Sequence, residues 1–353
     1  MFEDFAGVWT PVTEARKVQK KPVSVKLAGE PVVLFRDEKG ALGALIDRCP
    51  HRGVALSLGK VDEKGCLACP FHGWTFDTTG ACTRVPLNDV PKEKRARHQA
   101  MALPVREIGG LVWLYTGPYA KEEPVAPEAL TEPGWHLAVY EDTWNAHWTR
   151  AMENMLDFPH VPFVHRRTIG KALSRQMKRD SVAHITVEPT ETGATFPVTM
   201  DRDQQMIPLE WRKPNAMVLR ILDDKRKVRM HVFCIPVDEE HTNMMIVAAR
   251  NFFPSRLVTW FSGLYNRKIV GEDRAVVESS YPKEVPHPNE EVSVATDGPT
   301  LHFRRYYYRE LRDSSANLVP AARLARHPDR AKDAPSIQVP KDGAEPRVTS
   351  TAA

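Results

Sequence analysis

Four residues in the first quarter of the chain have the types and the spacing of metal ligands. Cys49 and His51 form a Cys-x-His pair, and after 17 intervening residues Cys69 and His72 form a Cys-x2-His pair. Thiolates and imidazoles are the ligands that zinc and iron–sulfur clusters take from proteins. A glycine lies within two residues after each histidine, which suits a tight loop. We therefore expect two loop tips that converge on one metal centre.

Two kinds of centre fit these four ligands. A structural zinc site would hold all four around one tetrahedral ion. A Rieske [2Fe–2S] cluster would take both thiolates on one iron and both imidazoles on the other, which raises its reduction potential. The Cys-x-His half departs from the usual spacing of zinc fingers, where two to four residues separate the cysteines. The spacing therefore favours the Rieske cluster, with structural zinc as the alternative.

A second group of candidate ligands lies further along, in the segment 153–165. Asp157, His160 and His165 stand there among apolar residues, which predicts that the segment is buried. An unpaired polar group in an apolar interior costs roughly several kcal/mol, and a metal ion would supply the missing partner. Two closely spaced histidines with a nearby acid suit a mononuclear transition-metal site. The alternative is that both histidines are hydrogen-bonded residues of an ordinary core.

The sequence also nominates a third ligand for this second site, Asp273. Residues 255–280 predict a helix whose apolar side carries Ile269 and Val270. Asp273 lies on that side, whereas we expect its neighbour Glu272 to point elsewhere. Two histidines and one carboxylate form the facial triad of non-haem Fe(II) oxygenases. An Asp273 that caps a helix or forms a salt bridge is the alternative.

The elements that must position these residues predict an α+β protein. Residues 1–118 hold short β-branched runs separated by turns, which predicts an antiparallel β domain around the first centre. Residues 119–134 are rich in Pro, Glu and Ala and read as a linker. Residues 135–318 predict a catalytic domain in which an antiparallel sheet is flanked by helices. Residues 319–353 lack periodicity and predict a disordered tail.

A helix that starts near Trp144 is expected to deliver the second ligand segment. Pro159 and Pro162 must interrupt regular helix where the histidines lie. A continuous helix would place His160 and His165 roughly 140° apart, whereas a broken one can aim both imidazoles inward.

The two motifs together resemble the oxygenase (α) subunit of the Rieske non-haem iron oxygenases. The resemblance covers residues 1–318 and rests on the cluster motif and on the downstream Asp-x2-His-x4-His motif, that is on Cys49, His51, Cys69, His72, Asp157, His160 and His165. It implies one [2Fe–2S] cluster and one mononuclear Fe(II) per subunit. It also implies a Glu-Asp pair on a late helix as the source of the third iron ligand.

The resemblance further implies partners. Electrons would come from NAD(P)H through a separate reductase or a ferredoxin, since the chain has no dinucleotide-binding glycine motif of its own. Subunits would assemble head to tail as homotrimers. Asp157 would then bridge His72 of the partner subunit to His160, as a conduit for electrons. Asp157 could also have a purely structural role, fixing the orientation of His160, and the two roles are compatible.

The favoured activity is that of a terminal oxygenase that uses O2 to hydroxylate or oxidatively demethylate a small, largely apolar and aromatic substrate. A cis-dihydroxylating ring dioxygenase is the alternative, and a pure Rieske electron carrier is the alternative from another class. Monooxygenation is favoured because the chain is short between His165 and Asp273. Apolar residues of 180–254 are the expected pocket lining: Phe196, Met200, Met206, Met217, Phe233, Met245 and Phe252.

Bulk properties agree with an ordinary soluble globular protein. The 353 residues are 42% hydrophobic and 27% charged, and the net charge of +4 is too small to favour a nucleic-acid partner. No apolar run is long enough for a membrane span, and the first residues do not resemble a signal peptide, so we expect a cytoplasmic protein. The remaining cysteines, Cys66, Cys82 and Cys234, read as small buried residues.

Overall fold

The computed structural model describes residues 1–2, 4–201, 204–223 and 225–312. The predicted disordered tail, 319–353, lies outside the described residues. None of the described helices is long and apolar enough to cross a membrane.

Ten strands form within the described part of residues 1–115: β1 (Trp9–Glu14), β2 (Val23–Leu27), β3 (Glu30–Arg36), β4 (Leu42–Ile46), β5 (Lys60–Val61), β6 (Leu67–Ala68), β7 (Thr75–Phe76), β8 (Cys82–Arg84), β9 (Val105–Ile108) and β10 (Leu111–Tyr115). They pair antiparallel as three sheets, in the orders β1-β10-β9, β2-β3-β4 and β5-β6-β7-β8. Tight turns join β2 to β3 and β3 to β4, where Gly29 and Gly40 take φ of +80° and +82°. Glycine adopts this left-handed conformation without a steric penalty. The predicted antiparallel β architecture of this part is confirmed.

Ten more strands follow among the described residues: β11 (His136–Trp144), β12 (Ala183–Ile185), β13 (Glu188–Thr190), β14 (Gly193–Phe196), β15 (Val198–Met200), β16 (Gln204–Gln205), β17 (Leu209–Arg212), β18 (Ala216–Asp223), β19 (Lys227–Pro236) and β20 (Thr242–Arg250). Seven of them form one antiparallel sheet in the order β11-β20-β19-β18-β17-β14-β13. β12, β15 and β16 form a small separate sheet.

Six α-helices lie in the described chain: α1 (Glu128–Thr131), α2 (Trp148–Leu156), α3 (Val161–Val164), α4 (Lys171–Gln176), α5 (Arg256–Val277) and α6 (Gly298–Tyr306). Short 3-10 turns occupy Ala15–Lys17, Leu56–Leu58, Lys92–His98 and Ala295–Asp297, and a π-helical segment, Tyr307–Arg312, follows α6. α2 packs on β18 and β19, and α5 packs on β11 and α2. The sheet is therefore flanked by helices, as the α+β prediction requires.

The helix that leads to the second ligand segment starts later than predicted. Trp144 ends β11, and α2 begins only at Trp148. His147 is the N-cap of this helix, and its Nδ1 accepts from Thr149 N–H at 3.4 Å. The apparent helical spacing of Trp144 arose because consecutive elements both bury their tryptophans, which are 0% and 2% exposed.

The two sets of sheets share one hydrophobic core. That core runs from Phe2 and Phe5 at the start of the chain to Leu311 near the end of the described residues. Across the junction Trp113 of β10 meets Phe233 of β19 edge to face, with ring centroids 5.7 Å apart. A smaller second hydrophobic core surrounds Cys49 and Cys69.

Backbone and side-chain hydrogen bonds also cross this junction. Ala28 N–H donates to Pro236 O at 2.8 Å, and Asn215 Nδ2 donates to Thr10 Oγ1 at 3.0 Å. Both Thr10 and Asn215 are buried, so their pairing satisfies polar groups that burial would otherwise leave unpaired. The limits proposed for the domains, 1–118 and 135–318, stay a prediction.

Candidate metal centres and pocket

Two loops of nearly the same conformation present the first set of candidate ligands. One follows β4 and carries Cys49, and the other joins β6 to β7 and carries Cys69. In the first, Gly53 N–H donates to Cys49 O at 2.9 Å, and in the second, Gly73 N–H donates to Cys69 O at 3.0 Å. Both glycines have positive φ, +73° and +67°. The glycines noted in the sequence therefore close two matching turns.

The loops place thiols inside and imidazoles outside. Cys49 and Cys69 are each 3% exposed, whereas His51 and His72 are exposed and their ring centroids lie 4.7 Å apart. His51 also stacks on Trp74, with centroids 4.6 Å apart and ring planes within 3°. The structure thus pairs the two predicted imidazole ligands with each other and the two predicted thiol ligands with each other.

The electrostatics of the thiol pair suit a metal partner. Burial, together with the neighbouring thiol of Cys69, raises the pKa of Cys49 to about 11. Without a metal this thiol stays protonated at neutral pH, whereas metal ions bind the thiolate. Two buried thiols with two exposed imidazoles fit a [2Fe–2S] cluster that has one inner, thiolate-bound iron and one outer, imidazole-bound iron. Cys66, Cys82 and Cys234 are buried free thiols, as expected of small core residues.

The second set of candidate ligands lies where the chain breaks between two helices. α2 ends at Leu156, with Asp157 as its C-cap, and α3 starts at Val161. His160 and His165 flank the single turn of α3 as its N-cap and C-cap. The interruption that Pro159 and Pro162 predicted is therefore present, and it sets the two imidazole rings 5.3 Å apart.

Asp273 of α5 completes the group. Its Oδ1 lies 3.0 Å from His165 Nε2 and 3.6 Å from His160 Nε2. One ligand atom from each of the three residues lies within 4.8 Å of the others. His165 and Asp273 are only 2% and 3% exposed.

An unpaired oxygen tests whether a metal fits this site. Within the described chain, Asp273 Oδ1 is buried and makes no hydrogen bond, although two imidazole nitrogens face it. A buried carboxylate oxygen without a partner is costly. A divalent cation among the three ligand atoms would satisfy it, and the donor set is that of a non-haem Fe(II) site. The residues therefore fit the metal.

Each histidine turns its other ring nitrogen to a second carboxylate. Asp157 Oδ2 lies 3.2 Å from His160 Nδ1 and accepts the His160 backbone N–H at 3.0 Å. Glu272 Oε2 lies 2.9 Å from His165 Nδ1 and also accepts from Thr168 Oγ1. A proton held on each Nδ1 leaves each Nε2 free to bind a metal.

The expectation that Glu272 points away from the site is wrong. Consecutive helix residues are roughly 100° apart, so only one of them lies on a given face. Here the chain after His165 wraps the side of α5 next to Asp273, and both acids reach the same histidine. Nothing in the local sequence around Glu272 signals that packing.

The charges around His165 oppose the effect of burial on its pKa. Burial lowers the pKa of His165, but the neighbouring carboxylates of Asp273 and Glu272 outweigh it and raise the pKa overall. For the acid Glu272 the effect of burial has the opposite sign, because burial raises its pKa. Hydrogen bonds from Thr168 and His165 outweigh burial and hold the pKa of Glu272 below its ordinary value. The carboxylates therefore stabilise positive charge next to His165. They would stabilise a bound cation in the same way.

A pocket opens beside these ligands, between the seven-stranded sheet and helices α2 and α5. Asp157, His160, His165 and Asp273 line it together with two asparagines and a mostly apolar wall. The apolar lining comprises Trp144, Met155, Val161, Ile169, Leu209, Met217, Leu219, Met230, Val232, Met244, Ile246, Ile269 and Val270.

Of the seven residues expected to line the pocket, only Met217 is among those that do. Strand side chains alternate between faces, so Met244 faces the pocket and its neighbour Met245 faces the opposite core. Phe233 packs on Trp113 on that opposite face. The other four expected residues pack elsewhere: Phe196, Met200, Met206 and Phe252.

Sequence reasoning missed three residues of the lining that carry a side-chain N–H donor, Trp144, Asn154 and Asn266. Asn266 precedes Asp273 by seven residues, so helical periodicity alone could have placed it on the same face. Asn154 lies one turn before Asp157 on α2. For Trp144 the sequence carries no signal, because its place depends on where β11 ends.

Comparison with known proteins identifies both halves. A model of the Rieske [2Fe-2S] domain matches residues 8–96, and a model of the vanillate O-demethylase oxygenase C-terminal domain matches residues 144–312. Methylxanthine N1-demethylase NdmA of Pseudomonas putida is 29% identical over 352 residues, which are 90% of this chain and 92% of that protein. Chlorophyllide a oxygenase of Chlamydomonas reinhardtii is 29% identical over 288 residues, 78% of this chain. The chain spans less than half the length of several such relatives, 43% in that case.

Solved structures of related proteins have the same fold as this chain. NdmA of Pseudomonas putida CBB5 matches with a TM-score of 0.72 and 25% identity, covering 90% of this chain and 94% of that one. Dicamba monooxygenase bound to dicamba has the same fold, with a TM-score of 0.72 at 20% identity over 88% of this chain and 98% of that one. The chain therefore joins a Rieske [2Fe-2S] domain to the C-terminal domain of an oxygenase. The chain belongs to the Rieske non-haem iron oxygenases, as an oxygenase (α) subunit. Which residues bind the metals stays a prediction.

Proposed function

We propose that this chain is the terminal oxygenase of a multicomponent monooxygenase that hydroxylates or oxidatively demethylates a small, largely apolar and aromatic substrate. The match to a vanillate O-demethylase C-terminal domain and the demethylase NdmA among its relatives support demethylation. NAD(P)H, through a separate reductase or a ferredoxin, would supply the electrons. The enzyme would act in the cytoplasm, in the breakdown of aromatic compounds.

The proposed ligand sets follow the two groups of residues described above. Cys49, His51, Cys69 and His72 would hold the [2Fe–2S] cluster, and His160, His165 and Asp273 would hold one Fe(II). When bound, the cluster supplies single electrons and the iron supplies a site for reaction with O2. The chain's own contribution is orientation: Asp157 and Glu272 keep the protons of the two imidazoles on Nδ1. The apolar wall excludes water and holds the substrate beside the ligands.

Asp157 has the features of a connection between subunits. Both of its contacts to His160 use Oδ2, and its side chain is 28% exposed, so Oδ1 can accept from a group outside the subunit. The imidazole of His72 is exposed as well. In a head-to-tail homotrimer His72 of the partner subunit would donate to Asp157 and join the two centres through hydrogen bonds.

The observation that carries this proposal is the unpaired, buried Oδ1 of Asp273 opposite two imidazoles at the head of an apolar pocket. Electron paramagnetic resonance of the reduced protein should give a Rieske signal of low average g. Asp273→Ala should lose the mononuclear iron and keep that signal. Asp238→Ala, in a turn beside Lys26, should keep both. A colourless protein, or full iron content in the Asp273→Ala variant, would refute the proposal.

Dioxygenation is the second candidate, because 3-chlorobenzoate-3,4-dioxygenase of Comamonas testosteroni is 35% identical over 161 residues. Turnover under ¹⁸O2 separates the two reactions. Monooxygenation places one labelled atom in the organic product or in the formaldehyde released by demethylation, whereas ring dihydroxylation places two in a cis-diol.

A further inference from the structure

Unpaired buried polar atoms are few in the described chain, and three of them belong to residues that line the pocket. They are Oδ1 of Asp273, Nε1 of Trp144 and Nδ2 of Asn154. The first is an acceptor, and a bound cation accounts for it. The other two are donors, for which neither the metal site nor the described packing gives a partner. A buried N–H without an acceptor costs on the order of 1–3 kcal/mol. We therefore expect a bound molecule to supply an acceptor to these two groups.

The charges of the pocket limit what that acceptor can be. Among the described lining residues the charged side chains other than histidine are the carboxylates of Asp157 and Asp273, and lysine and arginine are absent from this set. A carboxylate on the substrate would be buried against an apolar wall without a cationic side chain to pair with. Such an ion loses its hydration and gains no salt bridge in return. The lining therefore disfavours anions and accepts neutral carbonyl acceptors such as a ketone or an amide oxygen.

The polar groups are also spread along the pocket. Asn266 is 7% exposed and precedes Asp273 by seven residues on α5, which corresponds to about 10 Å of helix. Apolar side chains fill the same face between them, namely Ile269 and Val270. A substrate that fills this length presents one end to the metal ligands and keeps an apolar middle.

We propose that the pocket takes an uncharged, mostly apolar substrate whose hydrogen-bond acceptor is held by Trp144 and Asn154, and that it rejects the matching carboxylates. The inference rests on the proposed function, since it concerns the substrate of that same site. It narrows the substrate class, because several aromatic oxidations begin from benzoate-type acids and this pocket would exclude them.

Three probes of one shape separate charge from hydrogen bonding. 4-Methoxyacetophenone carries a neutral acceptor, 4-methoxybenzoate carries a carboxylate, and 4-isopropylanisole is an apolar match for the ketone. Binding is measured by anaerobic calorimetric titration of the purified, iron-loaded protein. We expect the ketone to bind at least about tenfold more tightly than either of the other two probes, since a satisfied donor and an avoided buried charge each contribute on that scale.

Two variants test the named donors. Trp144→Phe removes the indole N–H and keeps most of the ring, and Asn154→Leu removes the amide at similar volume. Each should weaken binding of the ketone about tenfold and leave 4-isopropylanisole within about twofold. Trp113→Phe is the matched control: this tryptophan is buried outside the pocket, its Nε1 donates to Ile108 O, and ketone binding should not change.

Each outcome decides the question. Tighter binding of the carboxylate, equal binding of ketone and apolar probe, or failure of all three to bind would overturn the proposed substrate class. An equal loss for ketone and apolar probe in both variants would overturn the role of the two donors. The proposed function fails on other grounds, namely the absence of a Rieske signal or of O2 consumption by reduced protein. A protein that passes those tests and prefers the carboxylate would still be an oxygenase, with a different substrate.

Discussion

At the scale of single residues, the candidate second metal centre would depend on hydrogen bonds as much as on its ligands. Each candidate histidine presents Nε2 to Asp273 and Nδ1 to another carboxylate, Asp157 or Glu272. This arrangement fixes both rings in the tautomer that a metal needs. The carboxylates would therefore act on a bound metal through the imidazoles.

Glu272→Gln should weaken metal binding without removing a ligand. The glutamine oxygen can still accept from His165 Nδ1, but the negative charge is gone, so the imidazole becomes a poorer donor to the metal. We expect a loss of about 10- to 100-fold in Fe(II) or Co(II) affinity, measured against a competing chelator. The Rieske spectrum should stay unchanged.

A control for this change lies on the same helix. Glu278 caps the end of α5 and binds Arg274 and the backbone of Asn145, outside the metal centre. Glu278→Gln should leave the metal affinity unaltered. Equal affinity in the Glu272→Gln variant and the wild type would show that Glu272 only packs against His165.

Asp157→Asn should separate a structural role from a role in electron transfer. Asparagine is nearly isosteric and still reaches the backbone N–H of His160, so we expect normal folding, iron content and reduction of the cluster. Reoxidation of the cluster in a single turnover with O2 and substrate should slow by orders of magnitude. Reoxidation at the wild-type rate would leave Asp157 with a structural role, and loss of iron would make it a ligand.

At the scale of secondary structure, we expect the start of α2 to be sensitive to pH. Val285 N–H donates to Thr149 Oγ1, which in turn pairs with Nδ1 of the buried His147. Burial lowers the pKa of His147 from 6.5 to about 4, so the folded protein needs this imidazole neutral. Its contribution to stability is complete above pH 6.5 and is lost as the pH falls toward 4.

His147→Asn should make the protein less sensitive to acid. Asparagine caps helices well and does not titrate. Between pH 8 and pH 5 the wild type should lose about 2 kcal/mol more of its free energy of unfolding than the variant does, because one fewer group must stay neutral. Denaturation midpoints at the two pH values measure the difference. Parallel losses in both proteins would show that His147 can take up a proton without cost.

The features that could be predicted from the sequence are those that depend on a single element of secondary structure or a single loop. The loop positions of the candidate ligands Cys49 and Cys69 and the helix position of Asp273 are local, since they depend on spacing and on one apolar face. The pocket wall depends on strand register, which the chain does not display: a shift of one residue exchanges Met244 for Met245. Glu272 and Trp144 depend on packing between elements distant in sequence, and local patterns carry no signal for that.

At the scale of the whole molecule, the proposed homotrimer can be tested by complementation. Cys69→Ser should abolish the cluster, and Asp273→Ala should abolish the mononuclear iron, so each variant alone should be inactive. Trimers reassembled from a mixture of the two would contain contacts between an intact cluster and an intact iron site across the subunit boundary. We expect the mixture to regain a substantial part of the wild-type activity.

The control for this experiment is a mixture of Cys69→Ser with a second cluster variant, Cys49→Ser, which should stay inactive. Sedimentation of the mixtures should show the same assembly as the wild type. Inactive mixtures of correctly assembled protein would contradict electron transfer between subunits.

The continuous core that joins the two sets of sheets has a consequence for how electrons travel. Some electron carriers work as a tethered head that swings between a donor and an acceptor. Here such a swing would pull Trp113 from Phe233, separate Ala28 from Pro236 and expose the buried pair of Thr10 and Asn215. Within the described residues the two sets of sheets are therefore held as one unit, and in the proposed homotrimer the distance of each electron transfer would be set by how the subunits pack against one another.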